Sequence, residues 1–344
     1  MHFQEFTGIN SFLVGISKLL LEKGVKRNVR GFITYEINNP IIIKISNPLA
    51  RIVTIPEREW NHVLPYAESL WLASGRNDMK MIGTYLKKMY DFSDDNESMR
   101  AGYGPRLRFF NGISKDYKSN YLNKNISDVS NSIIEVDQFD YIVKAFEKDP
   151  YTRQAIISIT DPAKDYIQKS GILKSTKDFP CTNNIQFLRR GNCLDVITHM
   201  RSNDFVWGAS GVNIFNFTFM QEYFAKILNL EIGHYYHIVN NLHYYDNLRK
   251  KVELIANVKS YSDDFFSYSN SITNFREFSN KLLLLENFEQ GLREKTNSIL
   301  IDFEDDFFND WAKVFYLFYT KDNLIDFCNP ILNRVYKKRN KNNL

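Results

Sequence analysis

The sequence predicts an α+β protein, a mixed β-sheet packed by helices with a helical extension at its C-terminal end. Three observations predict this class. Between Asn213 and Leu228 the apolar residues Ile214, Phe217, Met220, Phe224 and Ile227 recur at helical spacing, the mark of a buried helix. Asn183–Arg189 and Cys193–Met200 are strand-like and joined by a tight Arg190-Gly191-Asn192 turn. Strands and helices are mixed along the chain, with no internal repeat.

Taken in order, Ser11–Lys23 reads as an amphipathic helix ended by Gly24. Arg30–Ile37 and Ile41–Ser46 read as strands split by Asn38-Asn39-Pro40. Thr54 with Glu57 forms a capping-box pattern, which predicts a helix running to Gly75, and Met79–Tyr90 predicts a second. Residues 114–131 are rich in Ser, Asn and Lys without periodicity, as a surface insertion would be. Gln138–Glu147 reads as a helix, Gln154–Thr160 and His234–Val239 as strands, and Leu242 as the start of another helix. Beyond residue 257 the pattern is two or three amphipathic helices broken by the acidic stretch Asp302–Asp306. This divides the chain into a catalytic part, 1–256, and a helical extension, 257–344, packed on the same domain.

The 344 residues, 44% hydrophobic and 15% aromatic, suit a globular protein with a large core. No apolar run approaches a membrane span, and Met1–Asn10 lacks a signal pattern. Cys181, Cys193 and Cys328 are an odd set at unrelated spacings, so neither a disulfide framework nor a zinc site is expected, and a reducing cytoplasm is. The net charge of +4 is partly local to Arg334, Lys337, Lys338, Arg339 and Lys341, a run that reads as a solvated terminus and not as a nucleic-acid patch.

The chemistry centres on Cys181, which follows Phe179 and Pro180. A thiol needs a nearby cation to become a nucleophile, because only the thiolate attacks. Arg201 stands at the end of a two-stranded excursion from Cys181, beside Ser202 and Asp204. An arginine returned there would supply that field and bind an anionic substrate with two hydrogen bonds. Covalent catalysis on a phosphorylated substrate is the expectation.

Asp149-Pro150-x-x-Arg153, Pro180-Cys181 with Gln186-Phe187, Arg201-Ser202-x-Asp204, Asn213-Ile214 and His243-x-Tyr245 resemble the thymidylate synthase family in order and spacing. Upstream, Arg30, Glu68-x-x-Trp71-x-x-x-Gly75 and Gly102-Tyr103-Gly104 fit the same pattern. The resemblance covers roughly residues 15–255 and implies the fold of that family. It also implies that Cys181 adds to carbon 6 of a pyrimidine, making carbon 5 an enolate nucleophile. Arg30, Arg201 and Ser202 resemble phosphate ligands, and Arg153 an arginine lent by a partner subunit, which implies a homodimer with shared sites. Glu68 resembles a proton shuttle working through water. Gln186 and Asn213 resemble nucleotide ligands, Asn213 reading a uracil edge with its amide, and His243 and Tyr245 the pair that holds the sugar hydroxyl. Asp204 resembles a catalytic aspartate that also contacts the pterin of the co-substrate, 5,10-methylenetetrahydrofolate. No metal is implied.

Departures from the family pattern set the expected product. Gln154 replaces a second arginine after Arg153, and Thr182 follows the cysteine in place of a histidine. Phe205–Asn213 is one residue longer than usual, and Tyr90–Ser93 replaces a tryptophan-bearing stretch. No closing tail is recognisable at the C-terminus. Water reaching the reactive carbon gives a hydroxymethyl group, whereas its exclusion allows a methyl group. The expected enzyme is a phage-type deoxyuridylate hydroxymethylase. Thymidylate synthase is the second reading and a dCMP or CMP hydroxymethylase the third. A catalytically silent nucleotide- or RNA-binding relative is the reading from another class, against which Cys181, Glu68 and Asp204 stand together.

Overall fold

The computed structural model describes residues 2–118, 135–168, 170–269, 272–322 and 324–341. Most of the insertion expected at 114–131 lies outside them, within residues 119–134. The elements are β1 (His2–Phe6), α1 (Ile9–Lys23), β2 (Val25–Val29), β3 (Phe32–Glu36), β4 (Ile41–Ile45), α2 (Leu64–Ala73), α3 (Met79–Tyr85) and α4 (Tyr103–Arg108). They continue with α5 (Gln138–Lys148), β5 (Ile156–Ser158), α6 (Pro162–Asp165), β6 (Thr182–Arg190), β7 (Cys193–Met200), β8 (Asn203–Asp204) and a π-helical segment, Phe205–Asn213. Last come α7 (Ile214–Ile227), β9 (Glu231–Val239), β10 (Leu242–Tyr245), α8 (Arg249–Ala256), α9 (Phe275–Glu294), α10 (Asp306–Thr320) and α11 (Pro330–Lys341).

Two mixed sheets organise the chain. The larger has the order β1-β4-β9-β7-β6-β5, the smaller β2-β3-β10-β8. Alternation along the larger sheet sends Ile41, Ile43, Ile45, Tyr235, Val239, Val196, Ile185 and Phe187 to a buried face. Against β7 and β9 of that sheet packs α7, buried along its whole length, with its polar residues satisfied inside: Gln221 Nε2 donates to the Leu194 carbonyl and Glu222 pairs with Arg51. The opposite face presents Ile42, Ile197, Tyr236 and Ile238 half-buried, and among the described residues no helix covers them.

The helices after residue 257 pack behind α7. Phe219 stacks on Phe307 (4.6 Å between ring centroids) and meets Trp311 edge-on (4.7 Å), and Trp311 Nε1 donates to the Tyr66 carbonyl of α2 at 3.0 Å. The acidic stretch has a local use: Asp305 caps α10 by accepting from the Phe308 amide.

Several sequence expectations are corrected. Thr54 caps nothing; its hydroxyl accepts from Asn10 Nδ2, and α2 starts later, after Asn61, whose side chain accepts from the amides of Val63 and Leu64. The helix from Met79 stops at Tyr85 and gives way to a 3₁₀ turn, Lys87–Phe92. Gly83 permits this reversal, since a Cβ there would lie 2.4 Å from the Tyr90 ring. Arg30 is in no strand: with φ of 53° it forms, with Gly31 at 84°, the turn of the β2–β3 hairpin. Leu242 begins a strand, with Leu242 and Tyr244 buried between half-buried His243 and Tyr245, and helix α8 begins only at Arg249. Strands β1 and β2 are additions, and β2, exposed throughout, has no apolar alternation to betray it.

Candidate active site

Cys181 ends a clamped loop. Its amide and that of Thr182 both donate to the Tyr103 hydroxyl, at 3.2 and 3.1 Å. Upstream, Arg100 donates twice to the Asp178 carbonyl and the Ala101 amide donates to the Asp178 carboxylate at 2.7 Å. Residues 100–103 therefore fix the thiol before any ligand arrives. Phe187 and Ile185, buried further along β6, anchor the strand that carries it.

Arg201 returns to the thiol as the spacing predicts. The β6–β7 hairpin pairs Thr182 with Met200, so Arg201 follows directly beside the nucleophile. Its Nη2 lies 3.7 Å from Cys181 Sγ, its Nε donates to the Pro180 carbonyl (2.8 Å), and its guanidinium lies 4.8 Å from the Phe179 ring centroid. Burial nevertheless pushes the thiol above its ordinary range, with Asp178 and Asp204 adding to the rise and Arg201 and Arg30 opposing it. Burial also pushes Asp178 up to about 6.

Asp204, on β8, is paired with His243 on β10. One carboxylate oxygen accepts from the Trp207 amide, while Oδ2 is buried with no hydrogen-bond partner among the described residues, and burial raises the carboxyl's pKa. His243 Nδ1 is engaged by Asn241 Oδ1 at 2.9 Å, and the rings of His243 and Tyr245 meet edge-on at 5.5 Å. Tyr245 is raised by burial and by the charges of Asp204 and Cys181, and lowered by exposed Arg30. Ser202 is half-buried, and among the described residues its hydroxyl has no partner.

The extra residue of Phe205–Asn213 has a structural home. The segment is a π-helix, whose i→i+5 hydrogen bonds enclose one residue more than those of an α-helix. The Ile214 amide donates to the Ala209 carbonyl in this pattern, and the Ser210 hydroxyl adds a side-chain bond to the Phe205 carbonyl. Arg58, buried, braces it by donating to Ser210 Oγ (3.1 Å) and to the Val206 carbonyl (2.6 Å). Desolvation lowers that guanidinium to about 10, opposed by the nearby Asp204 charge. The insertion is thus absorbed before Asn213, the residue that begins α7. Among the described residues the Asn213 amide has one partner, a long contact to Met200 Sδ at 3.6 Å.

Glu68 stands on α2, which packs against α7. Burial raises its carboxyl to about 7, opposed by a hydrogen bond from Asn216, one helical turn beyond Asn213. A carboxyl poised near neutral pH can both take and return a proton. Asn216 was not legible as a site residue, although its spacing from Asn213 puts both on one face of α7.

The altered segment Tyr90–Ser93 faces away from these tasks: the Tyr90 hydroxyl donates to the Met79 carbonyl and Ser93 Oγ to the Ser98 carbonyl. A tryptophan does stand beside its preceding residues, but from another element. Trp207, 44% exposed on the π segment, carries Lys88 Nζ 4.5 Å from its ring centroid. A cleft of about 880 Å³ opens elsewhere, between Arg76, Tyr90 and Glu286, and is lined by none of the expected site residues.

Arg153 and Gln186 are not brought to the thiol. Both lie at the β5–β6 edge, where Gln186 Nε2 donates to the carbonyl of exposed Arg153 at 3.0 Å. Cys181, Arg201, Asn213 and Glu68 are linked through Met200 and Asn216, by the contacts of Cys181 with Arg201, Met200 with Asn213, and Asn216 with Glu68. Asp204 and Arg30 lie near enough to the thiol to shift its pKa.

The model of the thymidylate synthase family matches residues 15–297. The chain is 36% identical over 207 residues to a deoxyuridylate hydroxymethyltransferase of Bacillus phage SP01, covering 60% of this chain and 49% of that protein. It is 28% identical over 241 residues to a protein of the same name from Pseudomonas phage M6, covering 69% and 59%. Thymidylate synthase 1 of Bacillus subtilis is 22% identical over 221 residues, covering 61% of this chain and 68% of that protein. The matched region thus spans about half to three fifths of the length of these phage relatives.

Proposed function

Since the chain belongs to the thymidylate synthase family, we propose that it is a folate-dependent hydroxymethyltransferase acting on carbon 5 of deoxyuridine monophosphate. The observation that carries the reading is Arg201 held against Cys181 on a clamped loop, with Asp204 close enough to raise the thiol and Tyr245 close enough to be raised by it. The phage relatives bear the name of this activity, and that supports uracil as the base and a hydroxymethyl group as the product.

In this reading Arg30, Arg201 and Ser202 bind the phosphate, and the phosphate draws Arg201 so that it orders substrate and thiol together. Cys181 gives up its proton and adds to carbon 6, moving the ring electrons toward carbon 5 and oxygen 4. Asn213 offers a donor to that oxygen and an acceptor to the ring NH. His243 and Tyr245 hold the sugar hydroxyl. The residues fit the folate co-substrate, because the unpartnered Oδ2 of Asp204 is an acceptor suited to a pterin N–H. When bound, the folate supplies the one-carbon unit at the oxidation level of formaldehyde. Glu68, held near neutral pH, then takes a proton from the water that completes the hydroxymethyl group. Carbon 5 gives up its own hydrogen as a proton, and the folate leaves as tetrahydrofolate with a proton on the freed nitrogen. Breaking of the Cys181–carbon 6 bond returns the thiolate and releases the product.

A homodimer completes the proposal. The uncovered sheet face with Ile42, Ile197, Tyr236 and Ile238 is an apolar surface of the kind that associates, and Arg153 at its edge is free to serve a neighbouring phosphate. The compartment is reducing, as a working thiol requires. The test is a ternary mixture with 5-fluoro-dUMP and methylenetetrahydrofolate, in which a covalent adduct on the peptide containing Cys181 is expected. Stable modification elsewhere, or none in a protein that binds the nucleotide, would refute the assignment.

A further inference from the structure

We infer that Asn216 is a positioning residue for the Glu68 carboxyl, and that Ser69 latches its amide in the working orientation. The inference rests on the reading of Glu68 as the proton carrier. Asn216 and Ser69 are each 4% exposed, so their side chains face the protein interior. Ser69 Oγ donates to Asn216 Oδ1 at 2.9 Å. An amide has one acceptor end and one donor end. With the acceptor end taken by Ser69, the donor end Nδ2 is the one left for Glu68, the preceding residue on α2. A flipped amide would set its oxygen against the carboxylate and leave the Ser69 hydroxyl facing an N–H group. The serine therefore makes one orientation the stable one.

Glu68 has Asn216 as its hydrogen-bond partner, and that bond favours the carboxylate against the burial that opposes it. The charged groups on the elements packed against α2 are engaged elsewhere. Asp78 on α3 and Glu286 on α9 hold Arg76, and Glu289 holds Arg293. Arg106 and Arg108 on α4 hold Asp165 and Asp137. On α7 Glu222 pairs with Arg51, and Asp310 on α10 accepts from Tyr268 and two backbone amides. This leaves a neutral amide as the tuning group. Because Asn213 and Asn216 are one turn apart, the rotation of α7 set by the π segment places base reader and proton-carrier partner together.

The test is the pH dependence of kcat for the full chain with dUMP and methylenetetrahydrofolate. Turnover needs Glu68 unprotonated, so activity rises with pH through its titration. Asn216→Ala removes a bond to the charged form, and should move that acidic limb up by about one to two pH units. At neutral pH kcat should fall about tenfold, with nucleotide KM changed by less than about threefold. Ser69→Ala should move the limb the same way by less, and it answers the question if Asn216→Ala does not fold. An unmoved limb in folded variants, with only a lowered melting temperature, would make both residues structural and overturn the inference. Glu68→Gln separates the two failures: if that variant turns over normally, the reading of Glu68 itself is wrong, and the inference falls with it. If it is inactive while the limb stays unmoved in the other variants, this inference alone is wrong.

Discussion

Arg201 approaches Cys181 to 3.7 Å, yet the thiol remains above its ordinary range because burial outweighs the cation. The resting nucleophile is therefore a thiol, and the arginine limits a penalty that would otherwise be larger. Alkylation of Cys181 by iodoacetamide should titrate with an apparent pKa above that of a free cysteine, and Arg201→Met should raise it further. A low, neutral-range pKa in the free protein would show that the loop opens in solution and solvates the thiol.

Glu68 carries a stability cost with a definite sign. Its carboxyl titrates near 7 in the folded protein against 4.5 for an ordinary glutamate, so the folded state holds the proton more tightly. Stability falls as pH rises across that window, and the loss is complete above pH 7. Glu68→Gln should therefore raise stability at pH 8 by on the order of 2 kcal/mol, and by almost nothing at pH 4, while abolishing turnover. Melting curves of the two proteins at both pH values check this. Equal stability at pH 8 would mean that the carboxylate is solvated in the free protein.

Asn213 begins α7 with its amide open to a ligand. Asn213→Asp should move kcat/KM toward cytosine, whose exocyclic amine a carboxylate accepts, and away from uracil. A mispaired buried polar group costs roughly 1–3 kcal/mol, or about five- to a hundredfold. If the ratio does not move, the base is read elsewhere, and Ser210, committed to the Phe205 carbonyl and Arg58, is a poor substitute.

Arg153 and Gln186 at the sheet edge lead to a prediction about copies of the chain. Mixing inactive Arg153→Ala and Cys181→Ala proteins should restore up to about a quarter of the activity, since one site of a hybrid dimer holds both residues. No recovery after proven subunit exchange would place the phosphate site within one chain.

The chemistry was more legible in the sequence than the scaffold was. Cys181 and Arg201 could be brought together because a hairpin with a tight turn fixes their separation, although the β-bulge between Thr182 and Asn184, which shifts the register beside the thiol, left no mark in the side-chain alternation. Glu68 was readable only through the Glu68-x-x-Trp71-x-x-x-Gly75 pattern of the resemblance; its burial among apolar neighbours on α2 comes from the packing. Tyr103 was seen only as part of a turn, and its grip on two amides depends on a fold that brings α4 beneath β6. Asn216 and Ser69 lie far apart in the chain and meet only through the packing of α2 on α7. The extra residue of Phe205–Asn213 was legible as a difference in length, but the π-helical turn that holds it was not, since it is set by backbone hydrogen bonds over a single short segment. Strand β10 was misread for a related reason: four residues are too few to separate a period of two from the start of a helix.

The product of the reaction tests the account most directly. Purified protein is incubated with dUMP and methylenetetrahydrofolate, the nucleotide is weighed by mass spectrometry, and the absorbance of dihydrofolate is followed in the same sample. The account predicts a nucleotide heavier by one CH₂O unit and no dihydrofolate. A nucleotide heavier by one CH₂ unit, with dihydrofolate formed in equal amount, would contradict it and make the protein a thymidylate-forming enzyme.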